Sequence, residues 1–585
     1  MLRAMRPAQL FFASFLALLA FGASTNLHAF EQPEGASAIA SRPLVTAKKH
    51  MVVAANPLAA EAGLAMLRKG GSAIDAAIAT QMVLNLVEPQ SSGIGGGTFL
   101  LYWDKAGKKL TSIDGRETAP QAATPDLFLD KEGKPLPREQ AMESGLSVGT
   151  PGVLAALALA HEKYGKLPWA DLFQPAIALS RQGFAVSPRL AKLIAEETPE
   201  SFAAEARAYF FDAQGRPWPT GYKLTNAALA ETLELIATNG PKAFYQGDLA
   251  NEIANAVQHD SRGPGKLSAE DLALYRAKQR EPLCIPYRVF EICGPSPPSS
   301  GAVAVSQVLA LIAPFDLGQR PLQPEPTHLI AEAERLAFAD RARYLGDPDF
   351  VAVPVKGLLD PTYLAGRRAL ITPDQSAPHV TAGDPPNTRQ GNFGRDATQE
   401  SIGTSQISIV DDDGNALSMT TTIEQSFGSR LMIRGFLLNN QLTDFSFVPT
   451  DEDGRPAANR VEPGKRPRSS LDPTIVFADD RQVRFVLGSP GGSAIILYVL
   501  KGLIGLIDWH LDPQQAADLV NFGSTSDEFI LEPDPGVDGL AADMSELGHQ
   551  VKRTALTSGL HIIAVTDKGL EGGADKRREG FAVGD

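Results

Sequence analysis

Thr404 follows Gly403 and leads the alternating run Ser405-Gln-Ile-Ser-Ile-Val410. A threonine at the head of a strand, once freed by cutting the bond before it, carries a hydroxyl nucleophile beside its own α-amine as base. Thr420, Thr421 and Thr422 lie on the next run, ALSMTTTI, and a hairpin lets them reach a hydroxyl at the start of the first. Gly488-Ser-Pro-Gly-Gly492 follows the strand-like VRFVLG, and exposed backbone N–H groups there suit an oxyanion hole. Arg466 and Arg468 flank Ser469 and Ser470, which sets hydroxyls beside positive charge. Threonine is common in strands and SPGGS is an ordinary turn. Only the constellation points to acyl transfer.

Other patterns fail on context. Gly145-Leu-Ser-Val-Gly149 matches G-x-S-x-G, but the preceding PREQAMESG is no strand, so a turn that starts a helix is expected instead of a nucleophile elbow. Gly93, Gly95, Gly96 and Gly97 miss the spacing of a dinucleotide loop, because position 98 is Thr. A tight backbone turn is expected there. The nine histidines include no H-E-x-x-H, so no metal site is expected.

The elements around these residues read as mixed α/β. Residues 56–86 form two helices split at Gly70–Gly71. SSGIGGG leads into the strand TFLLYWD, and KKLTSIDGRE gives a second strand. Ala- and Leu-rich helices fill 151–216, helical patterns continue through 226–280, and further helices are predicted near 303–313, 326–346 and 493–507. Residues 373–403 are polar, Pro/Gly-rich and aperiodic, and read as a long exposed segment. The turn DDDGN (411–415) joins the two runs after Thr404 into a hairpin.

Composition bounds the rest. The chain has 585 residues, 43% hydrophobic and 21% charged, which excludes disordered, collagen-like and multi-span membrane classes. A formal net charge of −14 argues against nonspecific nucleic-acid binding. Arg3 and Arg6, the apolar run Leu10 to Ala23 and the small residue Ala29 read as a secretory signal peptide over residues 1–29, with an uncleaved anchor as the alternative. The mature protein is then periplasmic or secreted, with no membrane attachment. Export allows a disulfide, and LCIPYRVFEIC reads as a hairpin that sets Cys284 opposite Cys293. Two free buried thiols stay open as the other reading.

Taken together, the residues resemble the γ-glutamyltranspeptidase (glutathione hydrolase) family of the N-terminal-nucleophile superfamily. The resemblance runs from about residue 44 to the C-terminus. It rests on GGSAIDAAIA, VEPQSSGIGGG, SIDGRETAP, TSQISIVDDDGNALSMTTTIEQSFG, LLNNQLTDF, PGKRPRSSLDPTI, GSPGGS and GGADKRREG. It implies a four-layer αββα sandwich, autocleavage between Gly403 and Thr404, and a heterodimer of a large (30–403) and a small (404–585) subunit. It also implies Thr404 as nucleophile, Thr422 as its hydrogen-bonding partner, and Gly491 and Gly492 as oxyanion donors. Arg116, Ser469 and Ser470 would take the α-carboxylate of a γ-glutamyl group, and Glu424, Gln441 and Asp444 its α-ammonium. The substrates implied are glutathione and related γ-glutamyl amides, with water or an amino acid or peptide as acceptor, and no cofactor.

Three positions depart from the family pattern. Glu424 stands where many bacterial members have Asn, Gln406 where His is usual, and Ser72 where Asn is usual. The stretch between Asp444 and Ser469 also looks shorter than in members with a full lid. Two rivals follow. One is a β-lactam (glutaryl/cephalosporin) acylase of the same fold. The other is an exported γ-glutamyl-binding protein that has lost catalysis.

Overall fold

Ser405–Val410 and Ala416–Thr422 pair antiparallel, and the rest of the fold is layered around this hairpin. The structure is a computed structural model, which describes residues 42–386, 392–396, 398 and 403–585. The expected signal peptide at 1–29 lies outside the described residues.

The strands that matter here are β1 (Val45–Ala47), β2 (Met51–Ala54), β3 (Gly97–Asp104), β4 (Lys109–Gly115), β5 (Lys278–Arg280), β6 (Leu283–Tyr287), β7 (Phe290–Gly294), β8 (Ser405–Val410), β9 (Ala416–Thr422), β10 (Thr474–Phe477), β11 (Val483–Gly488), β12 (His561–Thr566), β13 (Gly569–Ala574) and β14 (Phe581–Gly584). They form two antiparallel sheets, in the orders β14-β2-β8-β9-β3-β4-β5 and β1-β13-β12-β11-β10-β7-β6. The helices used below are α1 (Pro57–Arg68), α2 (Ala73–Val87), α3 (Val153–Tyr164), α4 (Gly301–Ile312), α5 (Pro324–Tyr344) and α6 (Ile495–Ile507). Helices α1, α2 and α3 cover the outer face of the first sheet. Helices α4 and α6 cover the second, with α5 packed on α4. The sheets face each other, so the chain is the expected αββα sandwich.

Local chemistry explains the helix starts. Asn56 accepts the Leu58 N–H at 3.0 Å and Pro57 opens α1. Ser72 and Asp75 form a reciprocal capping box on α2. The departure at Ser72 is therefore a working helix cap. Helices α4 and α5 each begin two residues before their predicted starts.

The two faces of the hairpin differ, and the difference fixes its register. Ile407, Ile409, Leu417 and Met419 are fully buried in the core formed with α1 and α2. Gln406, Ser408, Ser418 and Thr420 point to the second sheet. There Ser408 Oγ donates to His561 O at 2.9 Å and Ser418 Oγ to Leu487 O at 2.8 Å. A one-residue slip would exchange the faces. Each orphaned buried polar group would then cost about 1–3 kcal/mol. The turn agrees: Asp411 and Asn415 are bonded at 3.0 Å, and Gly414 takes φ 79°. This register pairs Ser405 with Thr421, which sets Thr404 across from Thr422.

At the far edge of the second sheet, Cys284 pairs with Cys293 across β6–β7 and the two are joined in a disulfide. Among the described residues of 373–403, many are exposed as expected, but two polar ones are anchored. Ser376 is buried and donates to Glu332 at 2.9 Å, while Asp396 is buried between Arg468 and Asn459, at 3.1 and 3.0 Å. Gly145–Ser147 is a short 3-10 turn, not an elbow, and Ser147 Oγ is buried and bonded to main-chain carbonyls.

Candidate active site

Thr404 sits at the head of β8, in the middle of its sheet, and is 3% exposed. Its Oγ1 lies 3.4 Å from Thr422 Oγ1, and both hydroxyls donate to the carbonyl of Gly403. The Glu424 N–H donates to Thr422 Oγ1 at 2.7 Å. An oxygen that accepts there has its own proton left to point at Gly403 O. The carbonyl before the threonine is thus polarised by one hydroxyl and approached by another.

Close backbone packing holds this arrangement. A Cβ on Gly403 would lie 2.3 Å from Glu424 O, and one on Gly96 would lie 2.0 Å from Thr422 O. Both positions exclude a side chain. The glycine run after Ser92 is therefore the tight turn read from the sequence, and its function is to let β3 close on Thr422. Ser92 Oγ donates to Ser405 Oγ at 3.2 Å and ties the same loop to β8. Glu424 itself has φ 81°, a left-handed conformation that costs a non-glycine residue about 1–3 kcal/mol at functional sites.

Gly488 to Gly492 are buried. Gly488 lies against Gln406, so close that an added Cβ would stand 2.4 Å from its Cδ. Gly491 and Gly492 adopt positive φ of 140° and 56° at the start of the turn that leads into α6. N–H groups at a helix start have no intrahelical acceptor, which is the property an oxyanion site needs. Gln406, at the departing position, accepts from Thr420 at 2.6 Å and donates to Ser418 at 2.9 Å. Its carbonyl takes the Nδ1 proton of His561 at 2.7 Å. Burial pushes His561 down to about 4, so it is a neutral donor near pH 7.

Sequence reasoning missed Arg578, whose Nη1 donates to Thr404 O at 3.2 Å. It is the second arginine of the tail DKRRE, and nothing in its spacing singles it out.

The predicted recognition residues converge. Gln441 Nε2 donates to Glu424 at 2.6 Å and to Asp444 at 2.8 Å. Asp444 also forms a buried ion pair with Arg116, which donates further to the carbonyls of Pro467 and Arg468 at 3.2 and 2.9 Å. Burial opposes the charge on Arg116, but Asp444, Glu117 and Glu424 outweigh it and raise its pKa. Arg116 and Asp444, expected to meet the α-carboxylate and the α-ammonium carried on one carbon of the substrate, touch each other. Glu117 packs against Gly97, opposite Thr422, and burial raises it to about 8 in spite of Arg116. Counted formally, Arg116, Asp444 and Glu424 carry one more negative than positive charge.

Ser469 and Ser470 lie on the strand-like entry to β10. Arg466 pairs with Asp114 at 3.3 Å and Arg468 with Asp396 at 3.1 Å. Arg341, from α5, donates to Ser470 Oγ at 2.7 Å. Among the described residues, His328, Glu332 and His549 form a buried cluster that sequence spacing could not reveal. It is closed by hydrogen bonds to Thr372, Arg335 and Ser376.

Two stacked antiparallel sheets between helical layers, with a threonine at the head of a central strand, define the class as an N-terminal-nucleophile hydrolase. The model of the Gamma-glutamyltranspeptidase family matches residues 59–585, and the chain belongs to that family. It is 36% identical to the glutathione hydrolase proenzyme of Bacillus subtilis (strain 168), over 98% of this chain and 97% of that one. It is 37% identical to the glutathione hydrolase proenzyme of Escherichia coli (strain K12), over 91% of each. In structure it resembles the cephalosporin acylase from Bacillus halodurans with a TM-score of 0.81 and 29% identity, covering 93% of this chain and 97% of that one.

Proposed function

We propose that this protein is a self-processing γ-glutamyl hydrolase/transferase acting on glutathione and related γ-glutamyl amides. The observation that carries this reading is the pair of hydroxyls, Thr404 and Thr422, on the carbonyl of Gly403. Thr404 Oγ attacks that carbonyl carbon while Thr422 stabilises the charge growing on its oxygen. The Gly403–Thr404 C–N bond breaks, the acyl group moves to Oγ, and water hydrolyses the ester. A large subunit ending at Gly403 and a small one beginning at Thr404 result.

In turnover the freed α-amine of Thr404 takes the hydroxyl proton as Oγ attacks the γ-glutamyl carbonyl. Gly491 and Gly492 donate N–H groups to the oxyanion. The amine leaves with a proton, and water or an amino acid or peptide takes the acyl group. Arg116, Ser469 and Ser470 bind the α-carboxylate, and Asp444, Gln441 and Glu424 the α-ammonium. Holding these remote charges keeps the amide in line for attack. Export through residues 1–29 to the periplasm or medium belongs to the same proposal. The Cys284–Cys293 disulfide fits an oxidising compartment.

The acylase likeness raises a glutaryl amide as a second substrate. The net negative charge of Arg116, Asp444 and Glu424 favours a substrate that brings an ammonium, which glutaryl lacks. Steady-state hydrolysis of γ-glutamyl- and glutaryl-p-nitroanilide tests this choice. A higher kcat/KM for the γ-glutamyl compound is expected, and a preference for glutaryl would assign the acylase activity.

A further inference from the structure

Arg341 lies in the last turn of α5 and is 5% exposed. Its Nε donates to Ser300 Oγ at 2.8 Å and its Nη2 to Ser470 Oγ at 2.7 Å. Ser300, just before α4, donates from both its N–H and its Oγ to the carbonyl of Ser469, at 2.6 and 2.7 Å. Ser299 Oγ donates to Leu471 O at 2.6 Å. The two serines expected to meet a substrate carboxylate are thus gripped from residues 299–300 and 341, at the proposed contact between the large and small subunits.

The direction of these bonds matters. A hydroxyl oxygen that accepts from a guanidinium keeps its own proton for another acceptor. The planar fork of arginine also fixes two hydroxyls at once, which a lysine ammonium cannot do with the same geometry. Burying a guanidinium is expensive, so a fork that only filled space would be a costly choice over an apolar side chain.

We propose that Arg341 is a positioning residue for the α-carboxylate subsite. By donating to Ser470 Oγ at 2.7 Å it fixes the hydroxyl where it meets the carboxylate of the bound γ-glutamyl group. The proposal rests on the γ-glutamyl reading above and adds a specificity determinant to it. Arg341 acts on binding, not on the attack by Thr404.

The test uses the processed enzyme and two anilides. One is γ-glutamyl-p-nitroanilide. The other is 4-aminobutyryl-p-nitroanilide, which keeps the ammonium and lacks the carboxylate. Arg341→Met is expected to raise KM for the γ-glutamyl compound about tenfold while kcat changes by less than about threefold. The preference for γ-glutamyl over 4-aminobutyryl falls by a similar factor, and Arg341→Lys recovers part of it. In a Ser470→Ala background, Arg341→Met is expected to add no more than about twofold, since the two residues act as one unit.

An equal fall on both anilides, or an effect undiminished in the Ser470→Ala background, overturns the proposal. So does loss of maturation in both Arg341 variants, which assigns the residue to folding. Failure of the underlying reading looks different: the wild-type enzyme itself then shows no preference for the γ-glutamyl anilide.

Discussion

Thr404 and Thr422 close one end of the β8–β9 hairpin with their hydroxyl oxygens 3.4 Å apart, and both donate to the carbonyl of Gly403. The register of the hairpin produces this pairing, and the register follows from which faces are apolar. Thr422→Val keeps the shape and removes the hydroxyl. It is expected to slow self-processing and turnover by about 10²-fold or more, followed by gel analysis of chain cleavage and by anilide hydrolysis. Thr422→Ser is expected to retain most of both.

Gly403 precedes Thr404 with no room for a side chain, because its Cβ would stand 2.3 Å from Glu424 O. Gly403→Ala is therefore expected to displace the carbonyl from both hydroxyls and to accumulate uncut chain. Normal processing of this variant would show that the carbonyl is not held by this contact.

Much of this was readable in advance. The alternating core of SQISIV, the turn DDDGN and the strand-like ALSMTTTI signal a hairpin, and LCIPYRVFEIC set Cys284 opposite Cys293 in the same way. Arg578 and Arg341 were not readable. They reach Thr404 and Ser470 across 174 and 129 residues, and no local period records such packing. The anchors of the polar stretch 373–403 were not readable for a related reason. Composition shows that Ser376 and Asp396 are polar, but not that Glu332 and Arg468 wait to bury them. The choice of γ-glutamyltranspeptidase chemistry came from ordered sequence blocks, because a Gly-Thr junction before a strand is too common to specify a reaction.

Asp444 has two partners, Arg116 and Gln441, and both are buried. Removing it takes from the buried Arg116 its hydrogen-bonded ion-pair partner, at an order of 3–5 kcal/mol. Asp444→Ala is expected to lower the denaturant midpoint accordingly and to erase the preference for γ-glutamyl- over glutaryl-anilide. Unchanged selectivity in a folded variant would remove Asp444 from ammonium recognition.

Asp472 is buried beside Gly294 and Gly301, and among the described residues neither carboxyl oxygen has a hydrogen-bond partner. Burial alone raises it to about 8. The folded state therefore holds a proton that the unfolded state releases near pH 4. Stability falls as pH rises between those values and levels off above about 8. Asp472→Asn removes this dependence. Its gain in Tm over wild type is expected to grow from pH 5 to pH 8 and then stay constant. A gain independent of pH would mean that Asp472 does not titrate in this window.

The Cys284–Cys293 disulfide closes a short hairpin at the edge of the second sheet, away from Thr404. Replacing both cysteines by serine is expected to cost about 2–3 kcal/mol against denaturant while leaving kcat and KM nearly unchanged. A large loss of activity at full folding would tie this edge to the site.

The central claim is that the chain cuts itself before Thr404, and intact mass with N-terminal sequencing of the purified mature protein tests it most directly. Scaled by length from 62.3 kDa over 585 residues, pieces of about 40 and about 19 kDa are expected, the smaller beginning Thr-Ser-Gln-Ile. A Thr404→Ala variant is expected to remain a single chain. A stable uncut wild-type chain, or a small piece beginning at any other residue, would contradict the account and leave an exported γ-glutamyl-binding protein as the better description.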